Sequence, residues 1–147
     1  TRKTALSGKR FYVKPMPDSR LETYLYIELL NAGLAYTLRR EQADAVVELS
    51  RESIDRRVLS VDPGTGKVRE VELGLEVQLE VRAANGRLII APERFSWFQD
   101  FVYDEGSVLG TQERESTSRG QIEREVARSL ALRLETIDPA ALDTREP

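Results

Sequence analysis

The side chains that could do acid–base chemistry in this sequence are carboxylates on one predicted strand. Glu70, Glu72, Glu76 and Glu80 alternate with aliphatic residues, so a strand places their carboxyl groups on one face. Catalytic carboxylates need a concave, partly dry site that drives their pKa values apart. A row on an open sheet face gives only repulsion, which neighbouring Arg and Lys relieve. We therefore favour a solvated face, and a carboxylate-dependent hydrolase with a cleft around Glu72 and Glu76 is kept as an alternative.

Other catalytic groups are missing from the sequence. The 147 residues include no histidine and no cysteine, which removes Cys nucleophiles, His bases, disulfides and the usual ligands of zinc, copper and haem. The segment Asp104-Glu105-Gly106 lacks the spaced oxygen ligands and the closing Glu of an EF-hand loop. We expect no enzyme, no metal site and no cofactor, and an enzyme that uses carboxylates or a Ser–Lys pair is the alternative that these absences leave open.

Phosphate binding is the other chemistry to weigh. Gly64–Lys67 invites a phosphate-loop interpretation, but Val61 stands where such a loop needs another Gly, and a strand follows instead of a helix. A hairpin turn is the better interpretation. If a phosphorylated ligand binds, guanidinium and ammonium groups near the predicted loops are its available partners. These candidates are Lys67, Arg69, Arg87, Arg114 and Arg119.

The overall charge and hydropathy narrow the class of protein. The chain carries 22 basic and 25 acidic residues, and its net charge of -3 argues against a dedicated nucleic-acid binder. Its 40% hydrophobic content is enough for one ordinary domain with a core. No apolar run approaches the roughly 18 residues of a membrane span. The sequence starts at Thr1 without Met, so we expect a processing boundary there.

Hydrophobic periodicity predicts the order strand–helix–strand–strand–strand–helix. The clearest strand has aliphatic residues at every second position from Val71 to Val81, and the hairpin turn Asn85-Gly86 follows it. Leu21, Leu25 and Leu29 predict a first helix near 19–32, and a four-residue repeat over 122–134 predicts the last. We expect a two-layer α+β fold, in which a mixed four-stranded sheet packs both helices on one face. One domain should cover 1–147, with its core near 9–137 and a tail at 138–147.

The second strand has an ambiguous phase. Val47 and Leu49 fall on one face, whereas Ile54 and Val58 fall on the other. Either a bulge near Ser50–Ser53 switches the faces, or the strand is twisted and partly exposed. The sequence leaves both possibilities open.

The last strand, over 88–103, combines Pro92 with a row of aromatic residues. Pro92 forces a bulge or an edge position. The alternating aromatic residues are Phe95, Trp97, Phe101 and Tyr103. A base-stacking platform needs a positive groove, and here Asp100 interrupts the strand. Because Phe98 and Val102 lie on the opposite phase, we expect core on one face and a protein partner on the other, with no nucleic acid.

The segment Tyr103–Gly110, with the sequence YDEGSVLG, leads into a charged helix that ends in Leu132-Arg133-Leu134. It resembles the LptE family of lipopolysaccharide-assembly lipoproteins. The resemblance covers roughly 10–136 and is strongest over Phe101–Gly110.

The resemblance implies a non-enzymatic protein of the Gram-negative outer membrane, on its periplasmic face. Such proteins lie partly inside the β-barrel subunit LptD and support the insertion of lipopolysaccharide into the outer leaflet. The family is anchored by a lipidated N-terminal Cys, so the anchor is expected upstream of Thr1. The alternative from another class is a periplasmic binding or chaperone-like module that presents an apolar strand edge to an extended client.

The resemblance to this family gives two sets of candidate site residues. The five loop cations become candidates for contact with the phosphates of lipopolysaccharide. The candidates for contact with LptD, whose lumen should be polar like that of other barrels, are Phe98, Phe101, Tyr103, Val108 and Leu109.

Overall fold

The computed structural model describes residues 5–103 and 106–143, apart from the side chain of Val108. Its main elements are β1 (Arg10–Val13), α1 (Leu21–Asn31), β2 (Ala35–Tyr36), β3 (Ala45–Val61), β4 (Val68–Ala83), β5 (Leu88–Val102) and α2 (Val108–Glu135). Short 3₁₀ turns lie at Arg40–Gln42 and Pro139–Leu142. The predicted α+β class is confirmed. The sheet gains one strand, β2, which is too short to show any periodicity.

The described strands form one mixed sheet in the order β2-β1-β3-β4-β5. β1 runs parallel to both β2 and β3, whereas β3, β4 and β5 are antiparallel neighbours. β5 therefore lies at an edge, and its register with β4 is irregular beside Pro92. Both features agree with the prediction made from this proline.

A bulge resolves the phase of β3. The register with β4 shifts between Ser50 and Ser53, and Arg51 there has a φ of 54°. One extra residue moves Ile54 to the same face as Leu49, and Ile54 pairs with Leu75 of β4. The bulge alternative is confirmed.

The core lies between the sheet and the two helices. The first helix buries Leu21, Leu25 and Leu29, and the alternating aliphatic residues of β4 are buried in the same cluster. The second helix contributes Ile122, Val126, Leu130 and Leu134. Burial of a side chain of this size stabilises a fold by about 1.5–3 kcal/mol. The predicted apolar stripes of both helices are thus the ones that meet.

The helices differ in how much of the sheet they cover. Strand β3 has 17 residues and β4 has 16, whereas α1 has only 11. Only α2, with 28 residues, accompanies the sheet toward the β3–β4 hairpin turn. Side chains near that turn are consequently exposed, including Val58 and Val61. Within the described residues, no helix is both long and apolar enough to cross a membrane.

Candidate functional site

The hairpin turn 62–67, the end of β5 and the start of α2 meet at one end of the molecule, which we call the distal end. They enclose an open cleft of about 690 Å³. Lys67, Arg69 and Arg114 line it together with Asp62 and Tyr103. Three of the five predicted phosphate-binding candidates therefore come together, and Arg114 joins Lys67 and Arg69 although it is far from them in the sequence.

Asp62 organises the hairpin side of this cleft. Its Oδ1 accepts hydrogen bonds from the backbone N–H groups of Gly64 at 2.8 Å and Thr65 at 3.3 Å, and its Oδ2 lies 3.3 Å from Nη1 of Arg69. The Gly64 N–H above all, with Thr65 and Arg69, holds the pKa of the Asp62 carboxyl below its ordinary value. Gly66 adopts a φ of 72° and completes the turn. The predicted hairpin turn is confirmed, and the carboxylate also orients Arg69.

The helix side of the cleft is tied to β5 by Arg114. Its Nε donates a hydrogen bond to the backbone carbonyl of Val102 at 3.1 Å. Because Arg114 lies near the start of α2, this bond fixes the helix entry against the strand end. Both guanidinium groups of the cleft are thus held by oxygens of the protein, an arrangement that limits the entropy lost when a ligand binds.

Arg56 is a cation that the sequence reasoning missed. Its Cζ lies 5.5 Å from the centroid of the Tyr103 ring, and its Nε lies 3.5 Å from Oε1 of Glu115 on α2. A smaller cleft of about 250 Å³ joins the first through Val68 and Tyr103, which line both. Arg56 follows the bulge in β3, so its face depended on the alternative that the sequence left open.

The two remaining phosphate-binding candidates lie elsewhere. Arg87 follows β4 at its opposite end, and its guanidinium donates a hydrogen bond to the carbonyl of Ala141. Arg119 lines a separate crevice of about 380 Å³ beside Ile54 and Leu73. The structure therefore does not bring these two arginines to the distal cleft.

The predicted partner-contact residues differ in exposure. Phe98 is 54% exposed and Leu109 is 70% exposed, whereas Tyr103 is half-buried beneath Arg56. Phe101 is 7% exposed and belongs to the core, as its position opposite Val71 requires. The side chain of Val108 lies outside the described residues.

Further exposed apolar groups lie near the distal end, and of these the sequence reasoning had placed only Val102 on a partner-facing side. Val58, Val61 and Val102 are each more than half exposed, and Leu59 is partly so. For the residues of β3, the available signal was the apolar phase of Ile54 and Val58, which continues beyond the bulge.

The acidic row of β4 lies on the sheet face opposite the helices. Glu72 pairs with Arg57 of β3 at 3.1 Å, and both Glu72 and Glu76 are half-buried beside neighbouring strands. The clefts at the distal end and beside Arg119 are lined by other residues. Within residues 5–103 and 106–143, no group of three or more acidic side chains could hold a metal ion. The solvated-face interpretation suits this arrangement.

A family model described as LptE, lipopolysaccharide-assembly, matches residues 8–134. This chain belongs to the LptE family. The match runs from just before β1 almost to the end of α2, so the family covers the whole sheet and both long helices. The resemblance inferred from Tyr103–Gly110 is confirmed.

Solved structures share the fold of this LptE-family chain. Lipoprotein B from Nitrosomonas europaea has 14% identity and a TM-score of 0.73, over 86% of this chain and 82% of that one. Rare lipoprotein B from Shewanella oneidensis has 18% identity and a TM-score of 0.65, over 85% and 90%. A minor lipoprotein from Acinetobacter baumannii has 22% identity and a TM-score of 0.62, over 99% and 100%. No protein with a curated description matches the chain.

Membership of the LptE family supports a role in lipopolysaccharide assembly and an association with the outer membrane. The structural likeness, at these identities, extends to the fold alone.

Proposed function

We propose that this chain is a non-enzymatic lipoprotein component of the lipopolysaccharide translocon. In this proposal an N-terminal lipid holds it on the periplasmic face of the outer membrane. It fills and supports the LptD barrel, and it assists the insertion of lipopolysaccharide into the outer leaflet. Family membership supports the general role, and the distal end supports direct contact with lipopolysaccharide.

The observation that carries the ligand proposal is the distal cleft. It combines Lys67, Arg69 and Arg114 with the exposed apolar side chains of Val61 and Val102 nearby. A phosphorylated, acylated lipid presents the complementary pair of groups, because its phosphates need cations and its chains need apolar surface. Arg69 and Arg114 are already positioned by Asp62 and the end of β5.

Neutralising the three cations of the cleft tests direct binding. We expect Lys67→Gln, Arg69→Gln and Arg114→Gln together to raise the Kd for purified lipopolysaccharide by about two orders of magnitude, since each cation near an anionic lipid surface contributes about 1 kcal/mol. The remaining binding should depend less on salt. Fluorescence titration at several salt concentrations measures both quantities.

The matched control neutralises Lys9, Arg39 and Arg40. This triple substitution changes the net charge by the same amount, but the three residues precede β1 and β3 at the other end of the molecule. If both triple variants weaken binding to the same extent, general charge attraction explains it and the cleft is not the site. Separate Arg87→Gln and Arg119→Gln variants should bind normally, because neither residue lines the cleft.

The barrel contact is tested with Leu109, which lies in the first turn of α2 and is 70% exposed. Leu109→Glu should lower co-purification with LptD by at least about tenfold, because an exposed apolar anchor loses its contact surface and gains a charge. Leu38→Glu is the control, since Leu38 is 72% exposed but lies outside the distal end. Tyr103→Glu should act in the same direction as Leu109→Glu. Equal co-purification of the folded Leu109 and Leu38 variants would refute this contact.

The non-enzymatic part of the proposal rests on the placement of the carboxylates. The acidic row faces away from the helices, and Glu72 is engaged with Arg57. Glu72→Gln together with Glu76→Gln should leave lipopolysaccharide binding and co-purification with LptD unchanged. A loss of either with the fold intact would restore a functional role for this row.

A further inference from the structure

Strand β5 has a free backbone edge whose hydrogen-bonding groups can be assigned. Its only neighbour in the described sheet is β4. The N–H of Tyr103 donates to the carbonyl of Arg69 at 2.8 Å, and the register is unbroken from Val102 back to Glu93. Backbone groups alternate along an antiparallel strand. The odd-numbered residues therefore bond to β4, and the N–H and C=O groups of the even-numbered residues point away from the sheet.

The usable part of this edge is short and has defined ends. Pro92 has no N–H to offer, and the carbonyl of Val102 already accepts a hydrogen bond from Arg114. Between these two positions the outward-pointing residues are Arg94, Ser96, Phe98 and Asp100. All four are exposed. Their backbones provide four N–H donors and four C=O acceptors, which have no partner strand in the described sheet.

We propose that a second copy of this chain pairs with this edge. The two β5 strands run antiparallel about a two-fold axis at Trp97. In this register Arg94 lies opposite Asp100 of the second copy, and Ser96 lies opposite Phe98, so every free group of the edge is paired. The two sheets then form one continuous sheet. Trp97 faces its own symmetry mate at a position without backbone hydrogen bonds.

Charge placement selects both the occupant and the register. Arg94 and Asp100 lie three residues before and after Trp97, so antiparallel self-pairing brings opposite charges together twice. Neither residue has an ion-pair partner elsewhere in the described part of the chain. An extended client strand would require no such symmetry.

Neighbouring registers are less favourable. A shift that centres the axis on Ser96 pairs Asp100 with Pro92, which lacks an N–H. A shift that centres it on Phe98 pairs Arg94 with Val102, whose carbonyl is occupied by Arg114. Both shifts also separate Arg94 from Asp100 of the second copy. The register centred on Trp97 is the one that uses the whole free edge.

This pairing goes beyond the proposed function and does not depend on it. Phe98 belongs both to the paired edge and to the surface proposed to contact LptD, so the two associations compete. Measurements on the purified chain alone decide the pairing, and its failure leaves the lipopolysaccharide and LptD experiments unaffected.

Charge reversal with complementation tests the pairing by sedimentation velocity over a concentration series. We expect Arg94→Asp alone and Asp100→Arg alone each to raise the dimer Kd by about 10- to 100-fold, because two attractive pairs become two repulsive ones. An equimolar mixture of the two single variants should dimerise as the original chain does, since both pairs of the mixed dimer are again complementary. The double variant Arg94→Asp/Asp100→Arg should also regain dimerisation.

Cross-linking tests the register independently, because the chain has no native cysteine. Two residues facing each other without backbone hydrogen bonds have Cα atoms about 4.5 Å apart, which is within disulfide range. Trp97→Cys should therefore form an intermolecular disulfide under mild oxidation. Gln99→Cys on the same strand should not, since its counterpart is Phe95 of the second copy.

Three results would overturn the proposal. They are a chain that remains monomeric up to high concentration, a mixture of single variants that fails to associate, and cross-linking at position 99 instead of 97. Ser96→Pro separates edge pairing from a folding defect, because the N–H that it removes points away from β4 and proline is tolerated there. It should abolish the dimer while preserving the thermal transition, and retention of the dimer would contradict the pairing.

Discussion

Arg20 and Glu123 form an ion pair with one buried partner, and its loss should measurably destabilise the fold. Glu123 on α2 is 2% exposed, whereas the Arg20 side chain, just before α1, is 54% exposed. Nη2 of Arg20 lies 2.5 Å from Oε1 of Glu123, and Nε lies 3.3 Å from Oε2. The pair thus joins the start of the first helix to the middle of the second.

The expected cost follows from this unequal burial. Removing one partner of a fully buried pair costs about 3–5 kcal/mol, because the other charge is left without compensation. Here water reaches the guanidinium, so Arg20→Met should cost less, about 2–3 kcal/mol. Since 1 kcal/mol shifts the melting temperature of a domain of this size by about 2–4 °C, we expect a decrease of about 4–12 °C.

Urea denaturation followed by circular dichroism measures the free energy of unfolding, and a double-mutant cycle isolates the coupling. Glu123→Leu removes the buried charge, so Arg20→Met should cost little in that background. The reasoning is refuted if Arg20→Met alone costs less than about 0.5 kcal/mol, or if its cost is the same with and without Glu123.

Three further predictions concern local packing and titration. An alanine Cβ at Gly74 would lie 2.5 Å from the Phe98 ring. Gly74→Ala should therefore lower the free energy of unfolding, measured by urea denaturation, by about 1 kcal/mol. In a Phe98→Ala background the same substitution should be nearly neutral. The pKa of the Asp62 carboxyl is lowered in the fold, so its hydrogen bonds should keep the turn ordered above pH 3.8, and this order should be lost as the pH falls through the lower folded pKa. The Gly64 amide signal in NMR spectra reports this loss by its shift. Loss of the order already above pH 3.8 would contradict the prediction. Burial raises the pKa of Tyr26 above 10.0, so its tyrosinate absorbance, measured as the difference from Tyr26→Phe, should appear late. The stability from its neutral form should be complete below pH 10.0 and be lost as the pH rises through the folded pKa.

Much of the fold could be predicted because its elements have strong periodicity. The alternation from Val71 to Val81 leaves one register in which the aliphatic side chains avoid water, and β4 has that orientation. The four-residue spacing over 122–134 likewise gave the buried face of α2. Strand β2 could not be predicted, because two residues carry no period and are held by pairing with β1.

The candidate site was predicted less completely. Loop cations were identified by residue type, but the sequence could not separate Lys67, Arg69 and Arg114 from Arg87 and Arg119. The separation depends on which end of β4 each loop joins and on where α2 begins. Arg56 was missed because its face follows from the bulge in β3, which the sequence left undecided.

The sequence by itself determined the fold class, the buried faces of both helices and of β4, and the family, because these depend on local period and on the segment Tyr103–Gly110. Only the tertiary structure decided which residues act together. Antiparallel pairing places residues distant in sequence opposite each other, and this pairing joined the turn at Asp62 to the end of β5 and the start of α2. It also placed β5 at the edge of the described sheet, where the backbone groups of every second residue have no partner strand because pairing with β4 uses only the others.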